Sequence, residues 1–165
     1  MSLLSGPTSG ENSSEIIIRR SSPDAPEVRA LLAELDGYLN YLYPSISNAL
    51  MNIAELRAPE VVFLVAREGE KLLGCGALVQ RRGYGEIKRM MVAPSARGKG
   101  LGSKILHAIE VQALAFDLRV LRLETGIHQP ESIALYKRAG FSEIAPFGEY
   151  QLDAYSRFME KRLLP

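Results

Sequence analysis

Three apolar runs in residues 61–92 restrict the folds that are open to this chain. The segment reads "VVFLVAREGEKLLGCGALVQRRGYGEIKRMMV", and its two interruptions, "EGEK" and "RRGYG", are short, polar and contain glycine. Interruptions of this kind between apolar runs are typical of hairpin turns. The segment therefore predicts three strands that lie as antiparallel neighbours in one sheet.

The residues before this segment predict a strand and a helix. "EIIIRR" at residues 15–20 has the pattern of a strand. Residues 22–44 have helical periodicity, with Ser22 or Asp24 as the expected N-terminal cap and Pro44 after the expected end. Residues 45–56 are less regular, and their pattern is partly helical.

The residues after this segment predict two helices and three strands. Apolar residues recur at helical spacing from Leu101 to Phe116, and "VLRLET" follows as a strand. "QPESIALYKRAG" predicts a helix closed by Gly140, and "FSEI" and "SRFMEKRLL" predict the last strands. Together these elements indicate an α+β fold, with one mixed, mostly antiparallel sheet of six to seven strands flanked by about four helices.

Composition limits the domain count and the classes of partner. The 165 residues suit one domain, which we expect at residues 15–165 after a flexible tail at residues 1–14. Twenty Lys and Arg against 19 Asp and Glu carry no general signature of a nucleic-acid or membrane-surface binder. No apolar run approaches the roughly 20 residues of a membrane span. A single cysteine and two separated histidines suggest neither a disulfide nor a metal site, so we expect a cytoplasmic protein without a metal.

Residues 97–102, "RGKGLG", lie between a predicted strand and a predicted helix. Glycines here let successive backbone N–H groups converge at the positive end of the helix dipole, which is typical of a phosphate site. The spacing is neither that of a P-loop nor the G-x-G-x-x-G of a dinucleotide site, and the preceding strands form hairpins, not a βαβ unit. A tight turn with ordinary capping is the structural alternative.

The longer segment "VAPSARGKGLGSKIL" resembles the acyl-coenzyme A loop of the GNAT acetyltransferase superfamily, with Arg97, Gly100 and Gly102 at matching positions. A second stretch, "QPESIALYKRAGF", is similar to another recurrent motif of that family. Its matching residues are Leu135, Tyr136, Gly140 and Phe141, whereas Gln129 and Ser132 replace the usual Asn and Ala. The element order agrees over residues 15–163.

This resemblance implies a GNAT-like fold whose sheet splays at a bulge, with the pantetheine arm of acetyl-coenzyme A lying in the gap. It also implies that main-chain groups near the gap bind the pantetheine and that the glycine loop binds the pyrophosphate. The implied coenzyme-binding residues are Met90, Met91, Val92, Arg97, Gly98, Lys99, Gly100, Leu101, Gly102, Ser103, Gln129, Ser132 and Tyr136.

An amine acceptor must lose a proton before or during its attack on the thioester, so a general base is required. The resemblance makes Glu86 the first candidate. Residues 86, 88 and 90 of a regular strand share a face, so Lys88 would lie beside Glu86 and lower the pKa of its carboxyl, which is unfavourable for a base. Glu86 in a surface ion pair, Lys88 or Arg89 binding an acidic group of the substrate, and Glu124 as the base stay open as alternatives.

The resemblance implies that Tyr136 is the acid that protonates the departing thiol. Its phenol is protonated at neutral pH, although a buried tyrosine in the core is the alternative. We expect the acceptor to contact Tyr38, Lys88, Glu124 and Tyr150.

The expected function is direct transfer of an acetyl group from acetyl-coenzyme A to the amine of a small polar molecule in a ternary complex, without nucleic acid or membrane partners. A protein N-terminal or lysine acetyltransferase and a non-catalytic acyl-coenzyme A binding module are the alternatives. Since related proteins often associate through strand edges, a homodimer is also expected.

Overall fold

The computed structural model describes residues 15–44 and 50–164. Seven strands within these residues form one sheet. In space the strands follow the order β1-β2-β3-β4-β5-β7-β6, and the β4–β5 pair is parallel while the other pairs are antiparallel. The strands are β1 (Ile16–Arg20), β2 (Val61–Glu68), β3 (Lys71–Gln80), β4 (Gly85–Val92), β5 (Val120–Gly126), β6 (Ser142–Ile144) and β7 (Ser156–Arg162). This confirms the predicted fold class.

Four α-helices flank the sheet in the described residues. They are α1 (Pro26–Leu42), α2 (Ile53–Leu56), α3 (Leu101–Ala115) and α4 (Pro130–Arg138), and a 3-10 turn (Pro94–Ala96) precedes the glycine loop. The helix α4 ends as predicted, because Gly140 adopts φ +99° and the N–H of Phe141 bonds to the Tyr136 carbonyl at 3.0 Å.

Apolar side chains form a separate core on each face of the sheet. One core packs α3 against alternate residues of the central strands, with Ile105 and Ile109 fully buried. The other packs α1 and α2 against the opposite face, with Val28 fully buried. The strand β3 is buried on both faces over residues 73–79, since it lies between these two cores.

The sheet opens between β4 and β5. Their parallel ladder covers only three residue pairs, ending at Ile87 with Leu123, although both strands continue beyond that point. On its other side, β4 carries one extra residue against β3, at a bulge where Arg89 adopts φ +57°. The bulge and the opening are adjacent, and together they form the splay that the family resemblance implied.

The expected cap of α1 was wrong. The residue before the helix is Ala25, which makes no side-chain cap, and Pro26 is at the first helical position. The Ser22 hydroxyl accepts a bond from the Asp24 N–H, and the Asp24 carboxylate pairs with Arg29 at 2.8 Å. The alanine side chain has no acceptor atom, so the helix begins without a side-chain cap, and proline suits the first helical position because its φ is already helical. The tail at residues 1–14 and part of the irregular segment lie outside the described residues.

Candidate active site

A cleft of about 640 Å³ extends from the opening of the sheet to the beginning of α3. Met90, Met91 and Val92 of β4 line its floor. Because β4 has no ladder partner on the β5 side beyond Ile87, its main chain is open to a ligand along this stretch. The cleft has the shape required for an extended arm that adds to the sheet like a strand.

The glycine loop closes one end of this cleft. Gly98 and Gly100 both adopt φ +77°, and a Cβ added at either position would meet no atom within 4 Å. Both glycines are exposed, and they precede the positive end of the 15-residue helix α3, whose first N–H groups have no partner within the helix. Arg97 stabilises the loop, since its Nε donates to the Val92 carbonyl at 3.2 Å. These residues fit a pyrophosphate.

A second cleft of about 270 Å³ lies on the other side of the opening. Its wall contains Lys88 and Arg89 of β4, Glu124 of β5, and Tyr150 of the loop before β7. The two clefts meet at Leu35, Met90, Gln129, Ser132 and Tyr136, which line both. A ligand in one cleft can thus reach a ligand in the other at this junction.

Tyr136 occupies the junction with a buried ring that packs edge-on against Phe141 at 5.6 Å. Burial, with a smaller contribution from the Glu124 charge, raises the pKa of Tyr136. The phenol therefore keeps its proton at neutral pH and can donate it at the junction.

Glu124 presents a carboxylate to the second cleft. Ser156 Oγ donates to Glu124 Oε1 at 2.9 Å. Burial raises the pKa of Glu124, and the Ser156 hydrogen bond and the positive charge of Lys88 only partly oppose this effect. A carboxylate with a raised pKa, open to a cleft, is a suitable proton acceptor for an amine.

Glu86 lies outside both clefts, and its side chain is 3% exposed. Arg81 Nε donates to its Oε1 at 3.1 Å, and Tyr150 Oη donates to its Oε2 at 2.6 Å. The ammonium of Lys88 lies 3.7 Å from the same Oε2. Three donor groups therefore surround this carboxylate, and two of them, Lys88 and Tyr150, line the second cleft.

The expected face of β4 was right for Lys88 and wrong for Met90. Lys88 lies beside Glu86, as strand alternation predicts. The extra residue at the Arg89 bulge reverses the alternation, so Met90 packs in the same core as Ile87.

The single cysteine supports the bulge. Cys75 is fully buried on β3, and its thiol donates to the Arg89 carbonyl at 3.3 Å. Burial raises the pKa of Cys75 to about 12. The thiol is therefore protonated at neutral pH, and its placement gives it a packing role.

The remaining residues that the sequence suggested for the site differ in which cleft they line. Tyr38 was expected near the acceptor, but it lines the first cleft, with the Arg97 guanidinium 6.0 Å from its ring centre. Lys99 is exposed and does not line either cleft. The residues expected at the coenzyme that do line the first cleft are Met90, Met91, Val92, Arg97, Gly98, Gly100, Leu101, Gly102, Ser103, Gln129, Ser132 and Tyr136.

Sequence reasoning missed several residues that line the clefts. Glu131 and Arg138 of α4 lie in the first cleft, and Tyr155 lies in the second, which Tyr43 also lines. The ring of Tyr43 stacks on His128 at 5.2 Å, and its Oη accepts a bond from the His128 N–H at 3.1 Å. Helical spacing could have placed Glu131 and Arg138 on α4, but the contact between residues 43 and 128 has no local signal.

The described residues contain neither a candidate metal site nor a candidate membrane-spanning helix. They contain no group of three His, Cys, Asp or Glu side chains that could hold a metal ion. No helix among them has both the length and the apolar character needed to cross a membrane.

Comparison with known proteins agrees with this geometry. The sequence profile of the acetyltransferase (GNAT) family matches residues 27–141. An IAA acetyltransferase of Azospirillum brasilense is 47% identical over 150 residues, which cover 90% of this chain and 98% of the relative. The uncharacterized N-acetyltransferase YedL of Escherichia coli K12 is 39% identical over 142 residues, which cover 84% of this chain and 89% of YedL.

A solved structure extends this similarity to the whole fold. A Klebsiella pneumoniae protein, provisionally named an acyl-CoA N-acyltransferase, superposes with a TM-score of 0.78 at 38% identity. The superposition covers 92% of this chain and 99% of that protein. With its splayed sheet, its glycine loop and these relatives, the chain belongs to the acetyltransferase (GNAT) family and is an acetyl-coenzyme A-dependent N-acetyltransferase.

Proposed function

We propose that the protein acetylates the amine of a small polar molecule that binds in the second cleft, while acetyl-coenzyme A occupies the first. The junction of the two clefts at Tyr136 carries this proposal, because it lets two ligands meet without a covalent enzyme intermediate. The buried, protonated Cys75 supports direct transfer, since it does not offer a thiolate for an acyl-enzyme.

The first cleft supports the following arrangement of the coenzyme. The N–H groups of residues 98–103 hold the pyrophosphate, and the main chain of residues 90–92 binds the pantetheine amides. Gln129 and Ser132 line the junction, where the reactive end of the coenzyme would lie. The bound coenzyme supplies an acetyl thioester, an electrophile with a thiolate leaving group.

Glu124 is the base in this proposal. It is open to the second cleft, called the acceptor cleft from here on because the acceptor binds there in this proposal, and its pKa is raised. The carboxylate of Glu86, in contrast, is enclosed by Arg81, Lys88 and Tyr150. Because the side chain of Glu86 is buried among these partners and lines neither cleft, it is not placed to contact the amine of the acceptor. Glu86 then has a positioning role, because it fixes the hydroxyl of Tyr150 in the cleft wall.

Tyr136 is the acid in this proposal. Its raised pKa keeps a proton on Oη at the point where the two clefts meet. The reaction then balances as one acetyl transfer. A C–N bond forms and the C–S bond breaks, the amine proton passes to Glu124, and the departing sulfur takes the proton of Tyr136.

Release of free thiol tests the function. Purified protein is mixed with acetyl-coenzyme A and a panel of small amines and lysine peptides, and thiol is measured with a chromogenic reagent. We expect turnover of at least one small amine above the rate of hydrolysis. Tight binding of coenzyme A without thiol release from any amine would contradict the proposal, and turnover of peptides alone would favour a protein substrate.

The homodimer stays a prediction. Light scattering at micromolar concentration would test it, and a mass of 18 kDa alone would reject it.

A further inference from the structure

Arg89 is a buried cation in the wall of the acceptor cleft. Its side chain is 3% exposed, and its Nη1 donates to Asp36 Oδ1 at 2.5 Å. Its Nε is also buried, and it has no hydrogen-bond partner among the residues that the structure describes. A buried donor without an acceptor is destabilising, and in native proteins each such group calls for a missing partner such as a ligand or a water.

The backbone at Arg89 is strained in addition. A non-glycine residue with φ +57° is in the left-handed region, which side chains with a Cβ disfavour. Such conformations cluster at functional sites, where they aim a side chain that a regular strand would direct elsewhere. Here the bulge places Arg89 in the lining of the second cleft, with its guanidinium paired to Asp36 of α1.

Lys88 supplies a second cation in the same wall. Its side chain is 16% exposed, and its Nζ donates to Tyr150 Oη at 2.8 Å. An ammonium group has three donors, so donors remain for a ligand after this bond and the 3.7 Å contact with Glu86. The neighbouring residues 88 and 89 thus present two cations to one side of the cleft.

Glu124 faces these cations across the opening of the sheet. Lys88 and Glu124 directly follow Ile87 and Leu123, the last pair of the parallel ladder, so they are the first residues on its two sides. They do not form an ion pair with each other in the described part of the chain, because Lys88 bonds Tyr150 and Glu124 bonds Ser156. The two cations thus line one side of the opening and Glu124 lines the other. The carboxylates that pair with the cations, Glu86 and Asp36, line neither cleft.

We propose that the acceptor is an amino carboxylic acid, whose carboxylate binds Lys88 and the Arg89 guanidinium while its amine lies against Glu124. This inference rests on the acetyltransferase function proposed above and narrows its acceptor class. A diamine would place a second cation against Lys88 and Arg89, and this like-charge contact disfavours it. The cleft therefore selects an acceptor that has a carboxylate at one end and an amine at the other.

The test compares each amino acid with its own carboxamide, which keeps the amine and the side chain but lacks the carboxylate charge. Rates of thiol release are corrected for the fraction of neutral amine, and diamines are included. Hydrogen bonds to charged groups contribute about ten- to hundredfold in affinity. We expect kcat/KM for the best amino acid to exceed that of its carboxamide by about 10- to 100-fold.

Two variants assign this preference to the proposed residues. Lys88→Met removes one cation and Arg89→Lys removes the guanidinium, and each is expected to lower this preference for carboxylate to about threefold or less. Lys161→Met is the matched control, since Lys161 is a half-buried lysine that pairs with Glu110 at 2.7 Å and lines neither cleft. It should keep the full preference, and circular dichroism checks that each variant is folded.

The possible results separate the two proposals. Equal rates for amino acids and carboxamides, or a preference for diamines, would overturn the acceptor class and leave the acetyltransferase function intact. A preference for carboxylate that survives in both folded variants would overturn the assignment to Lys88 and Arg89. If the Lys88 variant does not fold, the Arg89 variant and the wild-type comparison decide. Failure to release thiol with any acceptor would overturn the function and this inference with it.

Discussion

Replacing each of two carboxylates by its amide separates the catalytic base from a structural ion pair. Glu124→Gln and Glu86→Gln make the same chemical change on neighbouring strands. Glu124 is open to the acceptor cleft, whereas Glu86 is buried among Arg81, Lys88 and Tyr150. The first variant should lose rate and keep stability, and the second should lose stability.

The expected stabilities follow from the contacts. In Glu86→Gln, an NH₂ group that cannot accept replaces one carboxylate oxygen, so either the bond from Arg81 to Oε1 or the bond from Tyr150 to Oε2 is lost. Removing a partner from a buried polar group costs about 1–3 kcal/mol. For a chain of this size, about 2 kcal/mol corresponds to a decrease in Tm of about 4–8 °C.

Glu124→Gln should behave differently. Glutamine still accepts the Ser156 hydroxyl, and it removes a carboxylate whose pKa is raised by burial. A carboxyl with a raised folded-state pKa stabilises the fold at low pH, and this contribution is lost as pH rises through that pKa. At neutral pH the ionised group opposes folding, so the variant should match or slightly exceed the parent in Tm.

The rates complete the comparison. Loss of a general base lowers the rate by about 10²- to 10⁴-fold. For the parent, kcat/KM should rise with pH as Glu124 ionises, at a pH above the ordinary carboxyl range because its pKa is raised by burial. Glu124→Gln should lose this dependence and follow the ionisation of the amine alone.

The measurements are thiol release at saturating acetyl-coenzyme A and thermal unfolding by circular dichroism. The reasoning is refuted if Glu86→Gln unfolds with the parent while losing at least 100-fold in rate, and Glu124→Gln keeps the parental rate and pH profile. Glu86 would then be the base, as the family resemblance first implied.

Three further predictions concern the coenzyme cleft and the cysteine. Gly100→Asp and Gly100→Asn both place a side chain at φ +77°, so they share its backbone strain. Calorimetry should show at least tenfold weaker coenzyme A binding for the Asp variant only, because its charge repels the pyrophosphate. Equal coenzyme A binding by the two variants would contradict the assignment of the loop to the pyrophosphate. Tyr136→Phe should lose about 10²-fold in kcat at saturating coenzyme, and the loss should shrink with a thioester of a more acidic thiol if Tyr136 protonates the leaving group. Because burial raises the pKa of Cys75 to about 12, iodoacetamide should label this thiol only in denaturant, as mass spectrometry would show; labelling of the folded protein would reveal an exposed thiolate.

The sequence by itself determined the secondary-structure elements and the position of the glycine loop. The turns "EGEK" and "RRGYG" and the apolar spacing of α3 are local signals, because the residues that form a hairpin or a helix face are close in the chain. The positive φ at Gly98, Gly100 and Gly140 also depends on the residue itself, since glycine adopts that region without steric cost. The motifs around these glycines were enough to identify the family and the fold.

Only the tertiary structure decided which of the two carboxylates lines the second cleft. Along the chain, Glu86 and Glu124 are alike as strand residues, and the adjacent Lys88 was the one available argument against Glu86. The partners that enclose Glu86 include Tyr150, which is 64 residues away. The end of the β4–β5 ladder and the bulge at Arg89 then set which side chains reach the cleft. These features follow from pairing between distant strands, and such pairing has no signal in the local sequence.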